Sequence, residues 1–155
     1  MKFTRLINCA VCLILAASLF SCSKAEESTI SLPESFSLNA LITDGDFEAS
    51  AKMKRSVGGW QITITAPETI EGMKISYTDI DCKIELDELS YTVSLDELSN
   101  SSPLRLTVNA LDKCVKGKKE GEILNEEYSF EFNEDGSPKA LEIGSISAVF
   151  SEYTY

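Results

Sequence analysis

The sequence predicts a mainly β, α+β fold: a curved antiparallel sheet or half-barrel of about nine strands with one covering helix, after an N-terminal signal helix. Three observations carry this. Apolar residues alternate with polar ones over most of the chain after Ser35. Turn residues punctuate that alternation at short intervals. One segment alone, from Ser102 to Gly117, switches to helical spacing.

The strands follow in order. Phe36, Leu38, Ala40 and Ile42 alternate with Ser37, Asn39 and Thr43, and Asp44-Gly45-Asp46 turns the chain. Phe47, Ala49, Ala51 and Met53 form the second strand, ended at Gly58-Gly59. Trp60, Ile62, Ile64 and Ala66 form the third, closed by Pro67. Met73, Ile75 and Tyr77 follow Gly72. Cys82, Ile84 and Leu86 make the next strand, and Leu89, Tyr91, Val93 and Leu95 the one after. The apolar parity changes at Asp87-Glu88, which requires a tight turn or bulge. Tyr128, Phe130 and Phe132 precede the turn Asp135-Gly136-Ser137-Pro138. Leu141 and Ile143, then Ile146, Ala148 and Phe150, complete the set around Gly144. Short connections imply antiparallel neighbours, mostly a meander. The pentapeptide Leu86-Asp87-Glu88-Leu89-Ser90 recurs as Leu95-Asp96-Glu97-Leu98-Ser99, a spacing too short for a solenoid repeat.

The helix has its own signals. Ser102 is an N-cap and Pro103 suits the first helical position. Leu104, Val108, Leu111 and Val115 then fall on one stripe, with Arg105, Asn109, Asp112 and Lys116 expected to point away from the core. Lys113, Lys116, Lys118 and Lys119 complement the negative end of the helix dipole, and Gly117 can end the helix.

A one-sided apolar sheet must bury that side, and one helix is available to cover it. The sheet is therefore expected to curl round the helix. Phe36, Phe47, Trp60, Ile62, Ile64, Tyr77, Tyr91, Phe130, Phe132 and Phe150 are the candidate lining of a hydrophobic ligand cavity. The alternative is that they fill a solid core, because alternation reports a buried face and not an empty one.

The N-terminus reads as an address. Lys2 and Arg5 precede an apolar run from Leu6 to Ala17. That run is short of the ~20 residues needed to span a bilayer, so it reads as an export signal. Leu19-Phe20-Ser21-Cys22 resembles the bacterial lipobox, with Leu19, Ser21 and Cys22 matching and Phe20 bulkier than usual. The resemblance implies a lipid thioether on Cys22 and cleavage between Ser21 and Cys22. Residues 1–21 are then a lipoprotein signal peptide, 22–33 a lipidated tether and 34–155 the β domain.

Composition restricts the chemistry. The chain has 155 residues, which is one ordinary domain. It has no His, so the usual neutral-pH general base and every His-containing metal or triad site are excluded. The net charge is −11, and removal of Lys2 and Arg5 with the signal makes it −13. The densest basic runs, Lys52, Lys54 and Arg55, and Lys116, Lys118 and Lys119, are short and surrounded by acids, so nucleic acid is not an expected partner. An acidic surface is also repelled by anionic headgroups, and the domain is expected to stand off the membrane on its anchor. The acids Asp79, Asp81, Glu85, Asp87 and Glu88 lack the spacing and the glycine of a calcium loop. No catalytic motif, phosphate loop or cofactor fingerprint is present. No enzymatic activity, cofactor or metal is expected.

Cys9 and Cys12 leave with the signal, and Cys22 takes the lipid. Cys82 and Cys114 remain, one even pair that permits either one disulfide or two buried free thiols.

The pattern Gly59-Trp60-x-Ile62-x-Ile64-x-x-Pro67-x-x-Ile70-x-Gly72, then a helix, then Asp135-Gly136-x-Pro138-x-x-Leu141, resembles small lipoproteins of clostridial-type bacteria. These in turn resemble the outer-membrane-lipoprotein carrier and receptor superfamily. The similarity covers roughly residues 34 to 150. It implies a curved antiparallel half-barrel around a helix, holding acyl chains or other hydrophobic ligands. The expected function is binding of a hydrophobic or lipid-like ligand by a membrane-anchored, extracytoplasmic domain. The rival is a protein-interaction or envelope-structural module with a solid core.

Overall fold

The computed structural model describes residues 31–99 and 101–155. Ser21, Cys22 and the signal peptide lie outside them, as does most of the tether.

Ten strands form a single antiparallel sheet. They are β1 (Phe36–Asp44), β2 (Phe47–Ser56), β3 (Gly59–Ala66), β4 (Lys74–Tyr77), β5 (Asp81–Leu86), β6 (Leu89–Ser94), β7 (Glu120–Ile123), β8 (Glu126–Phe132), β9 (Pro138–Ile143) and β10 (Ile146–Thr154). The helix α1 (Pro103–Val115) sits between β6 and β7 in the chain. The spatial order is β6-β5-β4-β3-β2-β1-β10-β9-β8-β7. Two meanders are therefore joined through β1 and β10, with β6 and β7 left as edges. A twisted sheet of this width must curl, and here it remains open around one helix, as a half-barrel.

The expected strands are present, with β7 in addition. Its sequence, Glu120-Gly121-Glu122-Ile123, carries one apolar side chain and no alternation to betray it. Pairing with β8, from Glu120 opposite Ser129 to Ile123 opposite Glu126, makes it a strand. Gly121 has φ +154, and a Cβ there would stand 3.1 Å from the Tyr128 ring.

The helix begins as its cap requires: Ser102 Oγ accepts from Arg105 N at 3.3 Å and Pro103 follows. It lies closest to β1, β7 and β9. Leu106, Thr107, Val108, Ala110, Leu111 and Cys114 are buried. Thr107 meets its hydroxyl's needs within the helix, donating to Pro103 O at 2.9 Å. Leu38, Ile42, Met53, Ile62, Leu141 and Ile143 meet the helix from the sheet in one continuous core.

The core extends two residues into the segment assigned to the tether. Leu32 is 4% exposed and belongs to the core cluster. Ser31 Oγ donates to Val115 O at 2.9 Å, tying the incoming chain to the end of α1. The packed domain therefore starts before residue 34.

Candidate functional site

Eight of the ten candidate lining residues come together. Phe36, Trp60, Ile62, Ile64, Tyr77 and Phe150 are buried, with Phe130 and Phe132 partly buried against them. They touch edge-to-face or stacked, as between Phe36 and Trp60 at 5.6 Å and between Phe130 and Phe150 at 6.3 Å. None of the five clefts described is lined by Ile62, Ile64, Phe130 or Phe150. These four side chains pack against one another within the core cluster.

Phe47 and Tyr91 depart from the expectation of burial, at 43% and 65% exposed. Phe47 starts β2 immediately after the Gly45-Asp46 turn, at the sheet end opposite the β2–β3 turn that α1 approaches. Tyr91 lies on the edge strand, past the reach of the helix. Both have the expected parity, but no element among the described residues covers them.

The uncovered end has a definite pattern. Residues directly opposite on neighbouring strands face the same side. Ile62 pairs with Ile75, Ile75 with Ile84, and Ile84 with Tyr91. Along this row exposure rises from 1% at Ile62 and 6% at Ile75, through partly buried Ile84, to 65% at Tyr91. In the next row Leu86 is partly buried and its partner Leu89 is 75% exposed. The inner face of the sheet therefore runs out of the core onto β5 and β6 as an apolar strip.

At the other end of this strip lies a cleft of about 310 Å³ between α1 and the turns that follow β2 and β4. Arg55, Trp60, Tyr77, Asp79, Arg105, Asn109, Asp112 and Lys116 line it. Asp112 Oδ1 accepts from Arg55 Nε at 2.8 Å and from Trp60 Nε1 at 3.1 Å. Arg55 also donates to the Glu34 carbonyl. The Arg105 guanidinium stands 4.9 Å from the centre of the Tyr77 ring, a cation–π distance. The Tyr77 hydroxyl is pushed up to about 12, chiefly by burial and also by the Cys82 charge, with Arg105 opposing.

The polar stripe Arg105, Asn109, Asp112 and Lys116 thus does not simply face water. It forms one wall of the cleft. Its spacing matches that of the apolar stripe beside it, which was the available sequence signal. Nothing in the sequence marked β3 and β4 as the opposite wall.

Cys82 and Cys114 are free and buried; the disulfide is not formed. The Arg105 charge acts on Cys82. Cys114 is nine residues further along α1, about 13 Å at the helical rise, beside Tyr128 and Tyr153 on which its charge acts. Burial raises both thiols, Cys114 to about 11.

The largest of these five clefts, about 880 Å³, is open and acidic, with Glu120, Glu126, Glu127 and Glu142 in its walls. No group of acids and cysteines able to hold a metal occurs among the described residues.

No protein-family model and no curated protein matches the chain. Among solved structures it is similar to the crystal structure of a LolA superfamily protein from Nitrosomonas europaea. The match has 12% identity and a TM-score of 0.40, and covers 81% of this chain and 87% of that one.

Proposed function

We propose that the chain is a lipoprotein of the bacterial cell membrane, anchored through Cys22 on the extracytoplasmic face. Its domain binds an apolar or lipid-like ligand and carries out no catalysis. The observation that supports binding is the rise in exposure along Ile62–Ile75–Ile84–Tyr91. The ligand lies on the exposed strip of β5 and β6, beside the packed core. Each Å² of apolar surface it covers contributes about 25 cal/mol. Two acyl chains on Cys22 hold the protein firmly. With Ser31 bonded to the end of α1 and Leu32 packed, the tether before them is Ser23 to Ile30, which spans at most ~29 Å when fully extended.

The test is native mass spectrometry of residues 23–155, which contain the whole sheet, helix and core. After incubation with a membrane lipid extract, an adduct of lipid mass is expected. It disappears on denaturation and in Tyr91→Asp. Bare protein would contradict the reading.

The second reading is a protein-interaction module. It is favoured by β6 itself, an edge strand of Leu89-Ser90-Tyr91-Thr92-Val93-Ser94 with no charged side chain. Such edges template strand pairing unless charge or proline blunts them. The same spectrum then shows an added protein mass.

A further inference from the structure

The apolar strip begins beneath Arg105, which forms no ion pair among the described residues. Trp60, Tyr77, Cys82 and Val93 form the cross-strand row at that end. Arg105 stands over it, against the Tyr77 ring and close enough for its charge to act on both Tyr77 and Cys82. Its Nε is buried without a partner. The ion pairs among the described residues are Arg55–Asp112, Lys83–Glu85 and Lys139–Glu131, and Arg105 is in none of them. Seven described lysines are in none of them either, but Arg105 alone among the described cations has a buried side-chain nitrogen without a partner. Asp112, seven residues on along α1, is already held by Arg55 and Trp60.

From this row the same face continues through Ile84 and Tyr91 to Leu86 and Leu89. At two residues per row the strip extends about 13 Å beyond Val93. A cation at one end and an exposed apolar track leading away from it are complementary to one kind of molecule.

We infer that Arg105 and its cleft are the headgroup subsite of the strip, and that the ligand is a single-chain amphiphile with an anionic head, of the fatty-carboxylate type. This rests on the apolar-ligand reading above. The carboxylate accepts from the Arg105 guanidinium, whose planar fork suits two parallel hydrogen bonds. Lys116 and Arg55 keep the cleft's lining cationic against Asp79 and Asp112. Salt screens the charge of the remaining surface beyond about 8 Å, so the local donors decide binding.

The probes are dodecanoate and uncharged dodecanol, both kept below self-association. Binding to residues 23–155 is read by calorimetry, with fluorescence of Trp60, the only tryptophan and a wall of the cleft, as a second signal. The wild type is expected to bind dodecanoate about tenfold more tightly, a difference of ~1.4 kcal/mol. Arg105→Gln removes that preference and leaves dodecanol affinity unchanged. Arg105→Lys keeps the charge without the fork and retains part of the preference. Circular dichroism confirms that each variant is folded. If both probes bind through Tyr91 with equal affinity, or Arg105→Gln keeps the preference, the headgroup subsite is overturned and the apolar site stands. If the wild type binds neither probe, both are overturned.

Discussion

Trp60 on β3 and Asp112 on α1 are joined by a 3.1 Å hydrogen bond from indole Nε1 to Oδ1. The same oxygen accepts from Arg55 Nε on β2. One carboxylate therefore pins the helix to two strands. Trp60 is 3% exposed, so its N–H has no ready access to water if that acceptor is lost. Leaving a buried donor unmatched costs about 1–3 kcal/mol. Asp112→Ala is expected to lower stability by that amount in urea denaturation, with Asp112→Asn losing less. A loss within about 0.5 kcal/mol for Asp112→Ala, the range of neutral surface changes, would show that the pin does not hold the helix.

Gly59→Ala is expected to be severe. Gly59 has φ +120, and a Cβ there would stand 2.0 Å from the Tyr77 carbonyl oxygen. That atom is backbone and cannot swing aside. A strained φ/ψ alone costs of order 1–3 kcal/mol, and separating β3 from β4 adds to it. Gly45, also at positive φ but with open space around it, is the control: Gly45→Ala should cost only the backbone strain. Equal losses in thermal melts would contradict the close approach.

Both thiols of residues 23–155 are expected to be inert in the folded state. Burial disfavours the reactive thiolate, raising Cys114 to about 11 and shifting Cys82 in the same direction. A disulfide-exchange reagent at pH 7.5 should label neither site in native buffer and both in guanidinium. An intact mass two hydrogens short would contradict the free-thiol state.

Asp135 gives a pH signature. The Ser137 hydroxyl donates to its Oδ1 at 2.6 Å and Ser137 N donates at 2.9 Å. These bonds favour the ionised form and lower its pKa. A carboxylate depressed in the folded state adds stability above its unfolded pKa, which is lost as pH falls through the folded value. Carboxyl NMR titration should place Asp135 below the usual aspartate range, and Ser137→Ala should bring it back up. An unchanged Asp135 in that variant would contradict the turn's role.

The strands were legible because period two is unambiguous wherever one side is buried, as in Phe36–Ile42 and Trp60–Ile64. The helix was legible from Ser102-Pro103 and its stripe. Coverage was not legible, because it depends on where the helix lands: Tyr91 and Phe47 have core parity and lie in the open. The two LDELS segments show the same limit. Leu86–Ser90 turns a hairpin, with Asp87 at φ 52, whereas Leu95–Glu97 winds into a 3-10 turn capped by Ser94. Local sequence is shared, and the neighbouring strands decide. The cleft was partly written in the polar stripe of α1, but its sheet wall depends on pairings 52 to 57 residues apart.

The central claim is that an apolar ligand covers the strip on β5 and β6 and does not enter the core. The most direct measurement is photo-crosslinking with an uncharged alkyl diazirine probe, followed by peptide mapping of residues 23–155. The account predicts labels concentrated between Ile84 and Val93 and their loss in Tyr91→Asp. Labels centred on Leu38, Ile62 or Leu141, or no specific label at all, would contradict it.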